Sequence, residues 1–190
     1  MGVARKLAAL GGATFRDPDF LQRLDFIFAG LYFEALDTFA TNPPKTPRAW
    51  YPLFAARART DIAPIQFALA GMNSPINRDL MVALVQTCEE KGTPPRRDSP
   101  EYSDYLAVNA ILESTEAAAK AEFLRGALAN VDRVFAGVDD IIANWSIAEA
   151  RSAAWAHAET LWALRGVPGA PIGRCHRITP SKASSTGYFE

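Results

Sequence analysis

The segment DPDFLQRLDFIFAGLYFEALDTFA, residues 17–40, constrains the fold more than any other. Leu21, Leu24, Phe28, Leu31, Ala35 and Phe39 recur at steps of three and four, the spacing that lines up one face of an α-helix. Asp17 suits the cap, and Pro18 suits the first helical position, where a missing N–H costs nothing. A helix this long with one apolar stripe must bury that stripe against other elements. The rest of the chain supplies them as further helical patterns. One runs from Pro47 to about Arg59 with Trp50, Leu53 and Phe54, and others cover residues 60–72, 75–86, 99–128 and 131–144. The last covers 146–165 and opens on a capping box, Ser146 to Glu149. No segment alternates with period two, and none repeats. The expected fold is all-α, a compact bundle of about six or seven helices over residues 1–165. An irregular tail rich in Pro, Gly and Ser is expected over 166–190.

Charge and composition narrow the function classes. Twenty basic and 21 acidic residues leave a net charge of -1, so there is no field to steer nucleic acid or an anionic membrane surface. No apolar run approaches the roughly 20 residues of a membrane helix. Cys88 and Cys175 stand far apart, which argues against a disulfide framework and fits a cytoplasmic chain. With only His157 and His176 beside them, no zinc-ligand pattern forms. There is no Gly-rich phosphate loop and no nucleophile elbow. The sequence names no cofactor.

The stretch GMNSPINRDL, residues 71–80, lies between the apolar runs IQFALA and MVALVQ. Ser74 followed by Pro75 reads as an N-cap and a first helical residue, so one helix is expected to end and another to begin there.

Helix junctions do not explain every polar residue. Asp25 lies on the apolar stripe of its helix, four residues after Leu21. Asp79 lies three after Ile76, Asn109 follows Tyr105 on one face, and Arg151 shares a face with Ile147, Trp155, Ala158 and Trp162. A buried charge without a partner costs several kcal/mol or more. These residues are therefore expected to meet: Asp25 and Asp79 with Arg151, whose planar fork holds carboxylates. Asn73, Asn77, Asn109 and Asn144 would satisfy the remaining polar atoms, with Tyr105 and Trp155 as apolar wall. Two outcomes stay open. One is a closed network that only fixes helix register, in a scaffold or homodimer. The other is a pocket for a small molecule, in which Asp25, Asp79 and Arg151 would be the catalytic set of a hydrolase or lyase/cyclase. An arginine beside two carboxylates argues against a tight metal site.

The order FLQRLDFIFAGLYFEAL, PRAWYPLF, QFALAGMNSPINRDL, YLAVNAIL and IANWSIAEARSAAWAHAETLW resembles a helical, mostly bacterial family known only as a domain of unknown function. The likeness runs over about residues 15–165. The resemblance implies an all-α fold and points to Asp25, Asn73, Asn77, Asp79, Asn109, Asn144, Arg151 and Trp155. It implies no activity. The family's hallmark is similar to Met-Asn-Ala-His-Ile-Asn-x-Asp-Leu, and this chain has Pro75 where that pattern has histidine.

Overall fold

The computed structural model describes residues 15–62, 64–112 and 146–167. The fold is all-α, and the described residues contain no strand. In chain order they form α1 (Pro18–Thr41), a 3₁₀ turn (Pro43–Lys45), α2 (Tyr51–Ala56), α3 (Pro64–Ser74), a π-helical turn (Pro75–Asp79) and α4 (Leu80–Lys91). These are followed by α5 over residues 100–112 and α6 (Ile147–Leu164). Segments α3, π turn and α4 run on without a break, so the described residues hold five rods rather than six or seven. The helix expected over 131–144 and the end of the one expected over 99–128 lie outside the described residues. So does nearly all of the expected tail.

The entry to α1 is doubly fixed. Asp17 Oδ1 accepts the Phe20 N–H at 3.0 Å, as the sequence predicts for a cap. The buried Asp104 on α5 accepts the Arg16 N–H at 3.0 Å and the Asp17 N–H at 2.5 Å, which pins the start of α1 onto α5. Burial on α1 follows Phe20, Leu21, Leu24, Ile27, Leu31 and Ala35. The stripe is turned slightly from the expected one: Ile27 is fully buried, whereas Phe28 and Phe39 are half-buried.

Helix α4 is the centre. Its residues Leu80, Val82, Ala83, Leu84, Gln86, Thr87 and Cys88 are buried nearly all round, the mark of a helix with neighbours on every side. Both α1 and α6 pack against it. It ends on Gly92 at φ +76, with Gly92 N–H bonded to Glu89 O and Thr93 N–H to Cys88 O. That Schellman closure needs a left-handed residue, which glycine adopts without strain. A smaller cluster of Ala35, Trp50 and Phe54 joins α1 to α2. Among the described residues no helix is long and apolar enough to cross a membrane.

The break expected at Ser74–Pro75 is absent: the rod runs on through the proline, whose missing N–H costs a helical hydrogen bond. Just after it the turn widens, and Leu80 N–H reaches back five residues to Pro75 O, a π pattern. Ser74 has helical backbone angles and does not cap. Its hydroxyl donates to Ala49 O at 2.8 Å and ties the rod to the segment before α2.

Candidate functional site

Arg151, one turn into α6, organises the site. Only 8% of it is exposed. Its Nε donates to Asn109 Oδ1 at 2.7 Å, and Nη2 donates to the Tyr105 carbonyl at 2.8 Å. The Tyr105 hydroxyl returns a bond to Arg151 O at 2.8 Å, and the guanidinium lies 3.9 Å over the Tyr105 ring. Helices α5 and α6 are thus locked by a reciprocal pair. Burial is the chief influence on the guanidinium and lowers its pKa, with Tyr105 pulling the other way. Burial likewise pushes the Tyr105 phenol up to about 12. Among the described residues no carboxylate lies within ion-pair distance of Arg151.

Beside Arg151 is a cavity of about 360 Å³. Its walls come from α1 (Leu21, Leu24, Asp25, Phe28), from α3 and the π turn (Gly71, Met72, Pro75, Ile76) and from Leu80. Val108 and Leu112 of α5 and Ile147 of α6 complete them with Arg151. The lining is apolar except for Asp25 and Arg151. Asp25 is exposed, so the cavity opens to solvent beside it. The apolar wall still crowds its carboxyl, and burial, with no contribution from Arg151, pushes its pKa above the ordinary aspartate value.

The expected meeting of Asp25 and Asp79 on Arg151 does not occur. Asp79 is fully buried and turned to the other side of the rod. Its Oδ2 accepts the Trp50 indole N–H at 2.6 Å, and its Oδ1 is paired with Arg78. Burial raises its pKa, while the bonds from Trp50 and Arg78 pull it back. Asp79 is no part of the cavity lining. Asn73 and Asn77 also depart from expectation. Both are exposed, bonded to each other one turn apart, and outside the lining. Trp155 is fully buried against Phe20, Tyr102 and Tyr105 and does not face the cavity. Its indole N–H has no partner among the described residues. Asn144 lies outside the described residues. Tyr105 and Asn109 do reach Arg151, as holders of the guanidinium rather than as wall.

Sequence reasoning missed the apolar lining. Met72, Val108 and Leu112 carry no signal that separates a cavity wall from core, because both are read from the same periodicity. It also missed the Trp50–Asp79 bond, whose partners are 29 residues apart. Cys88 is no nucleophile: burial first, with Glu101 beside it, pushes its thiol up to about 12. Among the described residues no group of three or more His, Cys, Asp or Glu could hold a metal ion.

No curated protein and no solved structure matches the chain. A family model does, over residues 2–179, a span that takes in every wall of the cavity. The chain belongs to that family, the family of unknown function DUF5995.

Proposed function

We propose that this chain binds a small molecule in the cavity between α1, the π turn, α5 and α6, with Asp25 and Arg151 as the polar groups of the site. One observation carries the reading. A mostly apolar, solvent-connected cavity is lined by a buried guanidinium that is held in place through two of its nitrogens, while the third donates to no described residue. Small-molecule sites have this make-up, concave and apolar with a few placed polar groups. The volume sits near the lower end of the usual range of roughly 300–1,000 Å³. Were the site to catalyse, proton transfer would fall to Asp25, whose carboxyl is crowded and reachable, both conditions for a general base or acid near neutral pH. Asp79 is sealed from the cavity, so its cluster with Trp50 and Arg78 serves the scaffold. Pro75 stands on the cavity wall, so a histidine in its place, as in the pattern the sequence resembles, would join the same lining.

Methyl-resolved NMR with naphthyl methanol as a neutral probe tests the pocket. Expected are shift changes confined to Leu21, Leu24, Met72, Ile76 and Leu112. Changes spread over the α4 core, or none at saturating probe, would refute the site.

A further inference from the structure

Resting on that pocket, we propose that the site selects a compact apolar monocarboxylic acid, whose carboxylate is bound by the free edge of Arg151. The inference starts from a buried charge with no counter-charge among the described residues. Taking a guanidinium out of water costs several kcal/mol unless a counter-charge and hydrogen bonds replace the water. Arg151 is more than nine-tenths buried, and the described residues supply the hydrogen bonds but no counter-charge. Asn109 and the Tyr105 carbonyl are neutral acceptors, and the Tyr105 ring offers only its π face. Asp25 shares the lining but does not pair with Arg151. The third nitrogen, Nη1, donates to no described residue and is not sealed off, because the buried groups left without a partner lie elsewhere. Arg151 lines the cavity, and in this proposal Nη1 is the nitrogen it presents there.

Charge sets the head group. The N–H of Nε and one N–H of Nη2 are engaged, which leaves the N–H groups of Nη1 for an acceptor. A dianion would bring two charges to one cation, on a lining that already carries Asp25. A neutral carbonyl would take the hydrogen bond but leave the buried charge unbalanced. A carboxylate supplies one negative charge and an acceptor to Nη1. The walls set the body. A cavity of roughly 150 Å³ lined by Leu, Ile and Phe holds one benzene, so about 360 Å³ takes a fused two-ring or similarly compact hydrocarbon. Phe28, Met72, Ile76 and Leu112 offer that body no polar partner.

The test compares naphthoate with naphthyl methanol, and octanoate with octanol, by calorimetric titration of the full chain. Each acid is expected to bind at least about tenfold more tightly than its alcohol, a difference of about 1.4 kcal/mol. In Arg151→Met the acids should lose that advantage while the alcohols bind as before. If that variant does not fold, the acid-to-alcohol ratio on the natural chain still decides. Alcohols binding as tightly as the acids would overturn the carboxylate and leave the pocket standing. Failure of all four probes to bind would overturn both.

Discussion

Trp50→Phe tests whether Asp79 belongs to the scaffold. The indole N–H donates to a carboxylate that is fully buried, and the bond is 2.6 Å long. The substitution removes that donor and leaves a buried oxygen short of a partner, a loss of about 2–3 kcal/mol where the acceptor is charged. The phenyl ring can keep the stack on Phe54, where the rings lie 5.3 Å apart at 13°, so the packing loss should be only about 1 kcal/mol. The total of about 3–4 kcal/mol corresponds to a fall in Tm of about 6–16 °C for a chain of this size. A double-mutant cycle with Asp79→Ala, which removes the acceptor, separates the two parts. Denaturant unfolding of the four proteins should give a coupling near 2 kcal/mol. A coupling near zero would show that the bond does not hold α2 to the rod, and the scaffold role would fail.

The same carboxyl has a pH signature. Burial raises the Asp79 pKa above its unfolded value. The folded state therefore keeps this proton to higher pH than the unfolded state. Asp79 contributes stability that is full below the ordinary carboxylate range and is lost as pH rises through the folded pKa. Asp79→Asn keeps the shape without the titration. Relative to the natural chain, the variant should gain stability as pH rises above the ordinary carboxylate range. A relative loss over that window would mean that the bonds from Trp50 and Arg78 outweigh burial.

Two further outcomes follow from where the structure puts the other polar residues. Carbon-detected NMR titration should place the midpoint of Asp25 above that of an ordinary aspartate, and Arg151→Met should leave the midpoint in place, because burial alone shifts it; a rise on removing the arginine would show that the two groups interact. Asn73→Ala and Asn77→Ala, at exposed positions bonded only to each other, should each change stability by no more than about 0.5 kcal/mol in denaturant unfolding, and a larger loss would place them inside.

The parts of the site that were legible in the sequence lie on helices that keep a constant phase. Asp17 reads as a cap and is one. Tyr105 and Asn109 fall four apart on α5, Arg151 falls on the buried face of α6, and the three do meet. What was not legible follows from the π turn. An α-helix advances about 100° per residue, so one extra residue in a turn rotates everything before it against everything after. Read with α-helical spacing from Ile76, Asp79 shares the face expected to meet Arg151, whereas across the widened turn it reaches Trp50. Asn73 and Asn77, one on each side of Ser74–Pro75, end up outside.

The stretch GMNSPINRDL therefore does three things that one periodicity cannot express. Ser74 fastens the rod to the chain before α2 through Ala49. Asp79 fastens it again through Trp50. Between these anchors the wide turn begins at Pro75, where Gly71, Met72, Pro75 and Ile76 line the cavity. Because both anchors lie off the cavity, they hold the widened wall in place without filling it. The polarity of the stretch thus belongs to the scaffold, and its apolar residues belong to the pocket. The sequence, read for polar residues on apolar faces, suggests the reverse.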